Sequence, residues 1–314
     1  MKKLIINADD FGFSPAVNNA IVDCATSGKI TATSLMVNMP HAEDAAKNIN
    51  EKLNKLSLGL HFTLTSGKPV TKPEKVNLLV NSHGNFQYGY MGLAAKLKSH
   101  QHRDFLNQIQ IEFFAQMELM DFLVAKYKLQ FDHIDSHQHV HSISGLFEFV
   151  ASEAIRRNLF LRFPQENFGD RKRLQRRFRQ WLPTGFLKRA ILNWNLRNAR
   201  GQHSSSKNIV YFGILDSGRI DDDALSEMIR VIAATRDDNK FYEINIHPSD
   251  LTAVTNHKTF DENKNDKQIF CSKNDLSFHY STWRTKELQT LQNLDPNELL
   301  KNHNIKLAGF SDID

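Results

Sequence analysis

Short apolar runs alternate with amphipathic stretches along most of the chain, the signature of repeated strand and helix units. Residues 2–7 are apolar and lead into Asp9-Asp10, which predicts a buried strand with two carboxylates just after it. Ser14-Pro15 then offers an N-cap and a first-turn proline for a helix running to about Gly28. Strands are predicted over residues 31–38 and 57–62, with an Ala/Glu/Lys helix between them. A long helical pattern over 103–128 precedes a strand at 131–136. A helix over 145–158, strands at 159–163 and 208–213, a helix over 221–235 and strands at 241–246 and 305–309 complete the series. Eight strands, most of them separated by helices, predict a parallel sheet with outer helices and so a distorted (β/α) TIM-like barrel. Residues 63–102 and 165–207 break the regularity, the latter as an insertion. No internal repeat and no linker rich in Gly, Ser or Pro divides the chain, so residues 1–314 read as one domain.

Composition then removes several classes. The chain has 314 residues, 40% hydrophobic and 24% charged, enough to bury a substantial core and too apolar for wholesale disorder. Cys24 and Cys271 give neither a disulfide framework nor a CxxC motif, which fits a reducing compartment. The first apolar run is too short for a signal peptide and none reaches the roughly 18 residues of a membrane span, so a cytoplasmic protein is expected. Its net charge of +5 is local: residues 171–200 carry ten Lys/Arg and no Asp or Glu, which leaves −5 on the rest. A nucleic-acid binder would spread its cations along a groove-sized face, so no nucleic-acid partner is expected.

The polar residues that remain unexplained fall at predicted strand ends: Asp9-Asp10 after strand one, His61 closing strand three, Asp135, His137, His139 and His141 at and after strand four, His247 closing strand seven. In a parallel barrel those ends meet on one face, where barrel enzymes keep their chemistry. Adjacent residues on an extended chain point to opposite faces. Asp9 and Asp10 could therefore serve one site only if the chain turns, and Gly12 suggests a turn there. One carboxylate could then ligate a metal while the other acts as a base. The Asp135–His141 run would present four ligand-capable side chains on one face if extended, a donor set suited to divalent ions, without revealing which imidazoles bind. His61 and His247 taken singly could equally be core histidines. No GxSxG, HExxH or GxGxxG motif occurs, and Gly67-Lys68 runs into Pro69 rather than Ser or Thr, which removes the serine-nucleophile, zincin and nucleotide-binding readings. Metal-assisted hydrolysis is left.

Four stretches, Asn7-Ala-Asp9-Asp10-Phe-Gly12, Gly59-Leu-His61-Phe-Thr-Leu-Thr65, His133-Ile-Asp-Ser-His137-Gln-His-Val-His141 and Ile246-His247-Pro248, resemble in order the signatures of the YdjC-like carbohydrate deacetylases. The resemblance implies a distorted (β/α) barrel that hydrolyses the N-acetyl group of an amino sugar with a divalent metal, Mg²⁺ in the first instance and Zn²⁺ as the other candidate. It makes Asp10, His61 and His137 the metal ligands, Asp9 the general base and His247 the acid that protonates the leaving amine. Asp135, His139 and His141 would orient the imidazoles, and Arg162 would position substrate. Two rivals stand beside it: a metal-dependent hydrolase of another bond such as a phosphoester, and a non-catalytic carbohydrate-binding protein.

The insertion departs from the pattern. Its ten cations interleave with Phe178, Trp181, Leu182, Phe186, Leu187, Ile191, Leu192 and Trp194, the composition of interfacial membrane helices. Either residues 171–200 dock peripherally on an anionic inner-membrane surface and present a lipid-linked amino sugar, or they form a lid or homo-oligomer interface whose cations meet the acidic body.

Overall fold

The computed structural model describes residues 1–53, 55–166, 192, 209–236, 240–250, 278–279 and 281–313. Among the described residues, eight parallel strands form one curled sheet: β1 (Lys2–Phe11), β2 (Ala32–Leu35), β3 (Ser57–Phe62), β4 (Phe131–Ser136), β5 (Phe160–Leu161), β6 (Ile209–Phe212), β7 (Phe241–Ile246) and β8 (Ile305–Leu307). The order β5-β4-β3-β2-β1-β7-β6 puts β1 between β2 and β7. β8 pairs with the first residues of β1, Lys2–Leu4. This is the half-barrel form of the predicted TIM-like arrangement, with helices α1 (Pro15–Thr26), α2 (Ala42–Lys52), α3 (Tyr90–Lys96), α4 (His102–Tyr127), α5 (Phe147–Arg156), α6 (Asp222–Ala234), α7 (Thr282–Asn293) and α8 (Pro296–His303) in the connections.

Local chemistry explains most boundaries. Ser14 caps α1 by accepting from the Val17 N–H at 3.3 Å, with Pro15 opening the helix. Asp221 caps α6 by accepting from the Ala224 N–H at 2.9 Å. Strands β1, β3 and β7 are buried almost throughout, as strands covered on both faces must be. The core runs from Leu4, Ile6 and Ile244 on the sheet to Phe62, Phe113 and Phe147, with Phe113 edge-on to Phe62 at 5.0 Å.

Two differences from the sequence reading matter for the site. β1 runs through Asp9 and Asp10 instead of ending before them. Helix α7 has no counterpart in the hydrophobic pattern because its buried face carries Arg284, Glu287 and Thr290 beside Leu288 and Leu291. The expectation of a membrane-facing or lid-forming basic segment at 171–200 falls, Leu192 apart, outside the described residues. No helix among the described residues is long and apolar enough to cross a membrane.

Candidate active site

The inner side of the curled sheet is polar. Asn7 and Asp9 of β1, Ser34 of β2, His61 of β3, His133 and Asp135 of β4, and Glu243 and Asn245 of β7 are all buried, and these strand pairs alternate at every second position. Packing them requires small neighbours. A Cβ on Gly59 would lie 2.2 Å from His133 Nε2, so only glycine lets that imidazole lie across β3.

Asp9 and Asp10 reach one site because the strand bulges. The β1–β2 register shifts between Ala8 and Phe11, and Asp10 adopts φ 71, a left-handed conformation that few residues other than glycine accept. The anticipated turn is therefore at Asp10 itself, followed by Gly12 at φ 90. Asp10 Oδ1 lies 3.0 Å from His137 Nδ1 and 3.3 Å from His61 Nε2. Its other oxygen, Oδ2, accepts from Arg284 Nη1 at 2.9 Å. Burial pushes the Asp10 carboxyl up, but Arg284, His137 and His61 outweigh that and hold it well below the usual carboxylate range.

His61 is oriented from behind: Nδ1 donates to Asp135 Oδ1 at 2.7 Å, leaving Nε2 toward Asp10. Burial disfavours its charge, yet Asp135, Asp9 and the bond to Asp10 raise its pKa to about 10. Asp135 is fixed in turn by Ser34, whose hydroxyl donates to Oδ2 at 2.6 Å. His137 packs at 5.3 Å against the ring of His279, which stacks on Phe13 at 3.8 Å.

The histidine run is not extended, which corrects the shared-face expectation. β4 stops at Ser136, and residues His137–Ser142 form a 3-10 turn in which Gln138 and His139 take φ 54 and 59. Only His137 reaches Asp10. His139 packs edge-on to Tyr211, with ring centroids 6.0 Å apart. His141 faces the other way, bonded to Ser136 Oγ and to the Arg162 carbonyl at 2.9 Å, and burial holds it neutral with a pKa of about 4. Of the three side chains expected to orient imidazoles, Asp135 does so; His141 braces the backbone of Arg162.

Arg162 also differs from expectation. It is 1% exposed, and its guanidinium grips carboxylates instead of facing a substrate. Nη1 and Nη2 donate to Asp9 Oδ2 and Oδ1, both at 2.9 Å, while Nε donates to Glu243 at 2.7 Å and Nη1 lies 2.7 Å from Asp135 Oδ2. Asn7 and Asn245 complete the seat of Asp9 at 2.7 and 3.0 Å. Burial raises the Asp9 carboxyl, but Arg162, His61 and His247 hold it far below its ordinary value, so it is ionised at neutral pH. His247, at the end of β7, has Nε2 3.9 Å from Asp9 Oδ2 and donates its backbone N–H to Glu287 at 2.6 Å.

Among the described residues, two groups of donors are close enough to share a cation: Asp10 with His61 and His137, and Asp9 with His61 and Asp135, each within 4.8 Å. In the second, Arg162 Nη1 already lies between the carboxylates, at 2.9 and 2.7 Å. The first fits a metal. Asp10 Oδ1 lies 3.0 and 3.3 Å from the two imidazole nitrogens, near the roughly 2.8–3.4 Å between neighbouring ligands that each sit about 2.0–2.1 Å from one ion, and all three donors lie within 4.8 Å of one another. Asp135 behind His61 is also the usual outer partner of a ligating imidazole. Arg284, Glu287 and His279 were not legible in the sequence. Glu243 and Asn245 left a signal: polar residues alternating with Tyr242, Ile244 and Ile246 on a fully buried strand.

A model of the family described as YdjC-like protein matches residues 3–302. Over 163 residues the chain is 37% identical to a carbohydrate deacetylase of Thermoanaerobacter pseudethanolicus, covering 52% of this chain and 60% of that protein. Over 159 residues it is 36% identical to a chitooligosaccharide deacetylase of Proteus mirabilis, covering 51% and 58%. The chain thus spans about three fifths of the length of these relatives. A solved protein of Enterococcus faecalis V583, to which cellobiose-phosphate cleavage has been ascribed, superposes with a TM-score of 0.65 at 21% identity, covering 99% of this chain and 98% of that one, and shares the fold. With its curled parallel sheet, its buried Asp/His cluster and a family match over nearly its whole length, the chain belongs to the YdjC-like protein family.

Proposed function

We propose that this chain is a metal-dependent hydrolase that removes the N-acetyl group from an amino sugar, releasing acetate and a free amine. The observation that carries the reading is the meeting of Asp10 Oδ1, His61 Nε2 and His137 Nδ1 within 4.8 Å of one another, from segments far apart in sequence. The names of the relatives support the substrate class.

Asp10, His61 and His137 would hold a divalent ion, Mg²⁺ first and Zn²⁺ second. Once bound, such an ion supplies a Lewis acid for the acetamide carbonyl and acidifies water. Asp9 is the base. It is ionised, and Arg162, Asn7 and Asn245 fix its orientation while lowering its proton affinity, so it takes the proton of the attacking water only as that water is acidified. His247, across from Asp9, delivers a proton to the nitrogen as the C–N bond breaks, so the amine leaves neutral. Arg162 is a positioning residue for Asp9.

Acetate release from N-acetylated oligosaccharides and glycolipids, with and without chelator, tests the reading. Release that chelator abolishes is expected. Asp9→Asn should bind metal normally while losing about 10²–10⁴-fold in turnover, and His137→Ala should lose both. Full activity in Asp9→Asn would overturn the assignment of roles.

A further inference from the structure

Helix α7 brings a carboxylate to the back of the proposed acid. Glu287 is fully buried, and each of its oxygens accepts a backbone N–H: Oε1 from Ile220 at 2.9 Å and Oε2 from His247 at 2.6 Å. The Oε2 atom also lies 3.8 Å from His247 Nδ1, while Nε2 of the same ring lies 3.9 Å from Asp9 Oδ2. The imidazole is therefore set between two carboxylates, one on the strand side and one on the helix side, with the Phe278 ring edge-on to it at 5.2 Å.

Taking the deacetylase reading as its basis, we propose that Glu287 is a positioning residue for His247. It seats the residue through the backbone N–H, turns Nε2 toward Asp9 by facing Nδ1, and keeps the imidazolium available as a proton donor. A nearby carboxylate favours the charged imidazole and fixes which nitrogen faces outward. Burial raises the Glu287 carboxyl to about 7, against the pull of the two backbone donors and Arg284, so its charge grows in across the neutral range. At 3.8 Å from Nδ1 the carboxylate is beyond direct hydrogen-bond range, so it acts on the ring through its charge and through the backbone bond that seats His247. Among the described residues, Asp9 favours the imidazolium, while around Glu287 the Asp10 carboxylate raises its carboxyl and Arg284, one turn back on α7, lowers it.

Two readouts test this on the full chain in magnesium chloride. The first is the NMR titration of the His247 imidazole, which needs no substrate. Glu287→Gln should lower the proton affinity of that ring at least about tenfold, since an opposite charge at this range shifts a pKa by one unit or more. The second is kcat/KM for acetate release against pH, where the alkaline limb should move to lower pH by the same factor. An unchanged His247 titration in a folded Glu287→Gln protein would overturn the proposal. If that variant does not fold, the wild type decides: the Glu287 carboxyl and the His247 ring should each show an inflection where the other titrates, and independent curves would overturn the proposal. Absence of acetate release from the wild type would sink the deacetylase reading while leaving the titration informative about Glu287 and His247.

Discussion

Arg284 donates to one oxygen of Asp10 at 2.9 Å, and the other oxygen faces the imidazoles of His61 and His137 at 3.3 and 3.0 Å. A cation on Oδ2 thus turns Oδ1 toward the candidate metal position. Removing one partner of a buried charge costs up to about 3–5 kcal/mol, less where other partners remain, as His61 and His137 do for Asp10. Arg284→Met should therefore destabilise the metal-free protein by up to that much in urea unfolding. Saturating divalent ion should restore more stability to the variant than it adds to wild type, because it supplies the positive charge beside Asp10 that Arg284 no longer gives. Equal increments in the two proteins would refute this account.

Asp135 acts on the site only through His61. Losing the outer partner of a ligating imidazole typically weakens metal binding about 10–100-fold. Asp135→Asn should show that loss by calorimetry with Mg²⁺ or Zn²⁺, and the His61 ring should titrate well below its value of about 10. Unaltered affinity would mean that His61 is not a ligand.

Arg162 ties Asp9, Asp135 and Glu243 together, and Glu243 is already pushed up by burial. Without the guanidinium, the three carboxylates repel and take up protons in the folded state. Arg162→Met should lose about 3–5 kcal/mol near neutral pH. Part of that should return as pH falls, because protonation then favours the fold. Arg162→Lys should not rescue it, since a single ammonium cannot replace the bidentate grip on Asp9. Full stability in the lysine variant would contradict this.

His141 supplies an opposite pH effect. Its pKa is lowered from 6.5 in the unfolded chain to about 4 in the fold, so its contribution is complete above about 6.5 and fades as pH falls toward 4. At the acid end the loss reaches about 3 kcal/mol. Stability measured by denaturant from pH 7 to 4 should fall less steeply in His141→Gln than in wild type. Parallel curves would show that this ring is not what resists protonation.

Much of the architecture could be read directly. The strands of the described residues lie on the apolar runs, and α4, α5 and α6 match the sequence reading within a residue or two, whereas α3 and α8 have no counterpart in it. Helix α7 was hidden because its inward face is charged, and hydrophobic periodicity is blind to a helix that buries arginine and glutamate. The sequence predicts a turn that unites Asp9 and Asp10 but not its placement at Asp10, since a bulge depends on pairing with β2. Extending the Asp135–His141 run failed for a related reason: left-handed Gln138 and His139 break the alternation that would have aligned the rings.

The order of side chains alone determined the parallel α/β class and the short list of residues able to do chemistry, because burial period and donor type are local properties. Tertiary structure decided which of them meet. It selected His137 over His139 and His141, committed Arg162 to carboxylates, and brought Arg284 and Glu287 from a distant helix against Asp10 and His247. Those choices depend on distances of a few ångströms between segments separated by as many as 274 residues. Closeness of that kind is set by how strands and helices pack, which the pattern of any one segment does not contain.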